Sequence, residues 1–146
     1  MVKEMVTQIS IFIPNRPNQL AKVTGILMKE KVNIRALTVS ETSDYGILRM
    51  IVSDPDKAQK VLQSSFLVDQ TDVIACALKD SPGGLHEIAT ILGENGVNIE
   101  YLYAFVGKAN QAILILRVEN KMRSKAIDVL EAKKIKIFDP EEIYSL

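Results

Sequence analysis

One run of residues occurs twice in this chain, and that repetition limits the fold more than any other feature. Pro17-Asn18-Gln19-Leu20 followed by Val32-Asn33-Ile34 returns as Pro82-Gly83-Gly84-Leu85 followed by Val97-Asn98-Ile99, at a constant spacing of 65 residues. Ile9, Ile11 and Ile13 precede the first Pro as Ile74, Cys76 and Leu78 precede the second. Gly46-Ile47-Leu48 matches Ala112-Ile113-Leu114 at a spacing of 66, so one residue entered the second copy, at a hairpin tip that tolerates insertion. Self-similarity of this kind marks a repeated supersecondary unit. The chain of 146 residues therefore reads as two domains, 1–70 and 71–146. One continuous α/β domain is the competing reading, and the matched Pro, Leu, Val-Asn-Ile and turn positions weigh against it.

Each copy predicts the same order of elements. Residues 7–13 alternate and are rich in β-branched side chains, as a strand requires. Pro17 suits the first turn of a helix, whose inward stripe is Leu20, Val23, Thr24, Leu27 and Met28. A strand follows from Ile34 to Val39, then a turn over Thr42–Gly46 and a strand over Ile47–Val52. Asp54-Pro55 starts a helix with Asp as N-cap and Pro at the first helical position, and Ala58, Val61 and Leu62 face inward. A short strand near Phe66–Val68 closes the unit.

In the second copy, Val73–Leu78 is a strand and Ser81 an N-cap before Pro82. Leu85, Ile88, Ala89 and Leu92 line the next helix, which stops at Asn95-Gly96. Strands over Ile99–Val106 and Ala112–Val118 flank Gly107-Lys108-Ala109-Asn110. A helix over residues 121–132 starts from Asn120, and Ile135–Phe138 is the last strand. Asp139-Pro140-Glu141-Glu142 opens a terminal helical turn with a capping-box glutamate. The order βαββαβ, twice, defines an α+β chain: tandem ferredoxin-like units, antiparallel sheets with helices on one face.

The other sheet face decides whether such a chain stands alone. A wet face calls for alternating polarity. Ala112-Ile113-Leu114-Ile115-Leu116 is continuously apolar, and Ile47–Val52 nearly so. The helices bury one face only, so a homodimer through the other is expected. A merely mildly apolar free face is the alternative.

Composition excludes several partners. Formal net charge is zero, which suits neither a phosphate backbone nor a strongly acidic substrate. The βαββαβ order also belongs to RNA-recognition domains, but those stack bases on aromatics of the first and third strands. Here the third strands have none, and of the first strands only Phe12 is aromatic. Apolar residues make up 47% of the chain, yet none of its apolar runs approaches a membrane span. Met1–Met5 does not read as a secretory leader. The single cysteine, Cys76, fits a reducing compartment, and a cytoplasmic protein is expected.

Catalytic and metal constellations are thin. His86 is the lone histidine, inside a helix, and Cys76 sits mid-strand as a small core residue. Asp54 and Asp139 are read as caps, and no HExxH, GxSxG, P-loop or CxxC occurs. No enzyme activity, metal or cofactor is expected. The distinctive local features are the two strand–helix loops, Asn15-Arg16-Pro17-Asn18-Gln19-Leu20 and Asp80-Ser81-Pro82-Gly83-Gly84-Leu85. Each opens a helix whose first N–H groups lack intrahelical acceptors, a setting that suits a carboxylate. Gly83 and Gly84 let a ligand approach the backbone. Plain helix capping is the alternative, and spacing alone does not separate the two.

These motifs resemble the ACT domain family, here as a tandem pair. An apolar strand, Pro-Gly-x-Leu opening a helix and Val-Asn-Ile at the next strand carry the resemblance. It covers nearly the whole chain. It implies regulatory binding of amino acids or similar small molecules, by a chain that is either a free-standing sensor or a regulator of a partner metabolic enzyme in trans. It also implies ligand sites between domains. Asn15, Asp80 and the Pro-Gly backbone would hold the ligand from one side, and Asn33 and Asn98 from the other. The first copy departs from the pattern: Asn18 and Gln19 replace the two glycines, and Arg16 could pair with a carboxylate. The competing function is a protein–protein assembly module that binds no ligand.

Overall fold

The computed structural model describes residues 5–146, apart from the side chain of Lys108; Met1–Glu4, read above for a leader, lie outside the described residues. The chain divides into two compact units, one over residues 7–71 and one over residues 72–144, the latter also taking the residues up to Val6.

In the first unit β1 (Val6–Pro14) is followed by α1 (Gln19–Lys29), β2 (Ile34–Glu41), β3 (Tyr45–Val52) and α2 (Pro55–Leu62). β3 is central, antiparallel to β1 with Ile11 opposite Leu48, and antiparallel to β2 with Leu37 opposite Met50. Period-two alternation sends Ile9, Ile11, Ile13, Leu48 and Met50 to one face. Val23 and Leu27 of α1 and Ala58 and Leu62 of α2 pack there and complete the core. Asp54 caps α2 as expected, its carboxylate accepting from the Lys57 N–H at 3.1 Å.

β4 (Leu67–Leu78) begins in the first unit and continues into the second, which repeats the plan with α3 (Gly84–Glu94), β5 (Tyr101–Val106), β6 (Ala112–Arg117), α4 (Arg123–Ala132) and α5 (Pro140–Tyr144). β6 lies between β4 and β5, with Cys76 opposite Leu114 and Tyr103 opposite Ile115. The closing strand is reduced to a single bridge, Cys76 to Ile137. Its hydrogen bonds run from Ala77 N–H to the Lys136 carbonyl and from Phe138 N–H to the Ala75 carbonyl. α1 and α3 end alike: a residue of positive φ, Lys31 or Gly96, lets the following valine amide reach back to Leu27 or Leu92. α5 begins with the expected capping box, Asp139 and Glu142 each accepting from the other's N–H.

Several expectations are corrected. The strands expected near residues 66–68 and 73–78 are one strand of 12 residues, β4. Its polar middle, Asp69-Gln70-Thr71-Asp72, reads as a linker in sequence, but an extended backbone needs no apolar side chains to continue. The inward stripe of α3 is Ile88, Ile91 and Leu92, while Leu85 and Ala89 are exposed. In α1, Leu20 and Met28 are likewise exposed. Asn120 does not cap α4; it lies in a 3-10 turn, and its side chain accepts from Arg117.

The apolar continuity of the third strands is satisfied within one chain. Ile51, Ile113 and Ile115 point away from the helix-side cores and are nonetheless fully buried. In the second unit the C-terminal segment supplies cover that strand patterning does not reveal. Ile143 is buried, and Leu146 lies with Ile113 against Gly107. This removes the reason for expecting a second copy on the sheet face. Among the described residues no helix is long and apolar enough to cross a membrane.

Candidate functional site

The two strand–helix loops fold alike. In the second unit Ser81-Pro82-Gly83-Gly84 is a turn closed by the Gly84 N–H on the Ser81 carbonyl at 3.0 Å, with Gly83 at φ 90° and ψ −7°. Pro at the second position and positive φ at the third are the requirements of a type II turn. In the first unit Asn18 takes the same conformation, φ 71° and ψ −1°. Pro17 and Ser81 are therefore turn residues ahead of the helices; Pro17 is not in a first helical turn and Ser81 is not a cap. Asn18 and Gly83 occupy the N-cap positions, and neither helix start receives a side-chain cap. The Asn18 and Gly83 carbonyls accept the first helical bonds, from Lys22 and Glu87. Leu20 and Ala21, and Leu85 and His86, the second and third residues of the two helices, are exposed, and their N–H groups lack intrahelical acceptors.

The two glycines have different duties. A Cβ on Gly83 would meet nothing within 4 Å, so this backbone is open to a visitor. A Cβ on Gly84 would stand 2.1 Å from the Lys79 carbonyl oxygen. Gly84 is buried because the helix start packs on the end of β4. Gln19 holds that position in the first copy, so its helix start cannot sit as close to the strand.

Other predicted residues separate by location. Asn15 ties its loop to the β2–β3 hairpin, its side-chain amide donating to the Thr42 carbonyl at 3.1 Å and its backbone N–H to Asp44. Arg16 and Asp80 are exposed. Asn33 and Asn98 lie beyond the C-termini of α1 and α3, the opposite ends from the loops. An 11-residue helix spans roughly 16 Å. No single unit therefore brings Asn33 to the 15–20 loop, or Asn98 to the 80–85 loop. The Asn33 backbone instead exchanges hydrogen bonds with Ser53.

Beside each loop lies a cavity that motif reading missed. In the first unit a space of about 360 Å³ is lined by Phe12, Pro14, Arg16, Gln19, Lys22, Tyr45 and Phe66. In the second a space of about 310 Å³ is lined by Ala77, Lys79, Gly84, Glu87, Gln111 and Lys136 among others. The repeat spacing superposes them: Phe12 on Ala77, Pro14 on Lys79, Gln19 on Gly84 and Lys22 on Glu87. That spacing was the available signal. Phe66 carried none, since it reads as an ordinary core residue.

Nucleophile and metal chemistry find no support among the described residues. Burial pushes the Cys76 thiol from 9.0 up to about 12, which disfavours the thiolate. His86 is exposed, with Nε2 3.5 Å from the Thr90 hydroxyl. No cluster of three His, Cys, Asp or Glu that could hold a metal ion occurs among the described residues.

Paired ferredoxin-like units, each with an uncapped turn-to-helix loop after its first strand, define a tandem βαββαβ architecture. The chain belongs to the ACT domain family, as an ACT domain pair matched over residues 4–146. It is similar over its whole length to protein BT0572 from Bacteroides thetaiotaomicron, with 40% identity, 99% of each chain covered and a TM-score of 0.90. It shares its fold with the regulatory subunit of aspartate kinase from Thermus thermophilus, at 15% identity over 90% of this chain and 95% of that one, TM-score 0.64. The corresponding subunit from Thermus flavus gives 15% identity, 90% and 94% coverage and a TM-score of 0.62. No curated protein matches the chain.

Proposed function

We propose that this ACT domain pair is a cytoplasmic regulatory protein that binds a free amino acid and acts on a metabolic enzyme in trans, catalysing nothing itself. One observation carries the reading: both helix starts after the Pro turns lack a side-chain cap, leaving N–H donors without an intrahelical acceptor at the same place in each of the two proposed domains, 1–70 and 71–146. A ligand carboxylate satisfies such donors and the positive end of the helix dipole. Gly83 and the exposed Asp80 beside it suit the 80–85 loop to the ligand's backbone and ammonium. Asn33 and Asn98 contribute only to a loop outside their own repeat. Nucleic acid and membrane have no place in this reading.

A free amino acid has roughly ten non-hydrogen atoms; at about −0.5 to −0.8 kcal/mol per atom, dissociation constants fall between micromolar and near-millimolar. That range suits metabolite sensing. The experiment is a thermal-shift screen of the twenty amino acids. A responding amino acid should lose its effect in Asp80→Ala. If none raises the melting temperature at about 10 mM, the reading fails.

A second reading, an assembly module without a ligand, rests on the edge strands. Leu37 and Val39 on β2, and Leu102 and Val106 on β5, are exposed apolar side chains. Homodimerisation belongs with this surface rather than with the sheet face, and sedimentation of Val39→Glu and Val106→Glu variants tests it.

A further inference from the structure

We propose that the first repeat holds, wholly within its own unit, a pocket for a small carboxylate with an aromatic body, and that the matching cavity of the second repeat does not take this ligand.

The residues argue for that chemistry. Two cations, Arg16 and Lys22, line the first cavity together with Phe12, Tyr45 and Phe66, and its lining contains no acid. Neither cation has an acidic partner among the described residues. Lys22 Nζ stands 5.5 Å from the centroid of the Phe66 ring, which holds the ammonium at the wall by cation–π attraction. Phe12 and Tyr45 are left 40% and 60% exposed, so rings that a ligand could cover face water. The volume falls within the usual range of small-molecule sites. A guanidinium fork matches a carboxylate, while the rings stack on an aromatic body.

The second cavity has the same position and different chemistry. Glu87 stands where Lys22 does and pairs with Lys79 at 3.6 Å, and Ala77 replaces Phe12. Lys134 and Lys136 line that cavity too, but Lys136 pairs with Glu142 at 2.7 Å, a carboxylate replaces the Lys22 ammonium, and no ring lines the wall for an aromatic body to stack on. The site does not depend on the amino-acid reading, in which Lys22, Tyr45 and Phe66 have no part.

The test uses the full chain and phenylacetate, followed by amide NMR shifts. Cyclohexylacetate keeps the charge without the ring electrons, and benzyl alcohol keeps the ring without the charge. The expected result is saturable shifts in residues 12–22 and 65–67, with several-fold weaker binding of cyclohexylacetate and none of benzyl alcohol. Lys22→Glu, an exposed change that copies the second repeat, should weaken phenylacetate roughly tenfold with circular dichroism unchanged. Phe66→Leu should remove the preference for phenylacetate over cyclohexylacetate. Absence of saturable shifts at about 20 mM overturns the proposal, as do equal affinity in Lys22→Glu or shifts centred on residues 77–88. A thermal shift by phenylalanine that survives Asp80→Ala and is lost in Lys22→Glu belongs to this pocket, and one lost in Asp80→Ala belongs to the amino-acid reading, so the two proposals fail separately.

Discussion

Adjacent residues with the same side chain can be fixed by different forces, and Gly83 and Gly84 separate the two cases. Gly84 is required by contact, since its missing Cβ leaves room for the Lys79 carbonyl; Gly83 is required by its φ of 90° alone. Gly84→Ala should cost about 2–3 kcal/mol, because backbone must move. Gly83→Ala should cost about 1–2 kcal/mol, the left-handed penalty of an ordinary side chain. Gly83→Asn should cost less again, since Asn18 adopts that conformation in the first copy. Urea unfolding of the three variants measures the order, and a Gly83 change that costs more than Gly84→Ala contradicts it.

Cys76 makes a different residue-scale prediction. Its folded pKa is raised from 9.0 to about 12 by burial, so the native state holds the neutral thiol while the unfolded chain ionises. The corresponding stability is complete below pH 9 and is lost as pH rises from there toward 12, at about 1.4 kcal/mol per pH unit. Between pH 8 and pH 10, wild type should lose about 1.4 kcal/mol more than Cys76→Ala, nearly all of it above about pH 8.5. Equal losses would show that the thiol is not held neutral.

At the scale of elements, the sequence was most legible where one local rule decides. Asp54-Pro55 and Asp139 through Glu142 satisfy their helix starts within a few residues, and both fold as their letters suggest. Ser81-Pro82 misleads because Pro serves equally at a first helical position and inside a type II turn; positive φ at the next residue decides, and only structure records that. Ser81→Ala should therefore be neutral within about 0.5 kcal/mol, whereas Asp54→Ala should cost about 1 kcal/mol. Equal losses in chemical denaturation would return Ser81 to the role of a cap. The polar centre of β4 escaped pattern reading, and the strand expected over Ile135–Phe138 is a single bridge at Ile137, because ladder pairing involves backbone groups that side-chain alternation does not describe. The buried far side of β6 escaped it too, since its cover comes from a C-terminal turn distant in sequence.

Across the whole molecule, the repeat shares its framework and varies its surfaces. Pro and Val recur because a turn and a helix exit require them, Val32 and Val97 being buried at the exits, whereas the matching Leu20 and Leu85 are exposed. The loops and the cavities beside them have diverged, from Lys22 to Glu87 and from Phe12 to Ala77. The loops were visible in sequence as motifs. The cavities were not, because Phe66 and Tyr45 reach them from segments far from any motif. The central claim is that the uncapped helix starts receive an amino acid, and thermal unfolding of the full chain with each of the twenty in turn tests it most directly. A ligand present at about a hundred times its dissociation constant adds about 2.7 kcal/mol of stability. The account predicts a concentration-dependent rise in melting temperature with one or a few amino acids, lost in Asp80→Ala. An unchanged melting temperature with all twenty at about 10 mM, in a chain that unfolds cooperatively, would contradict it.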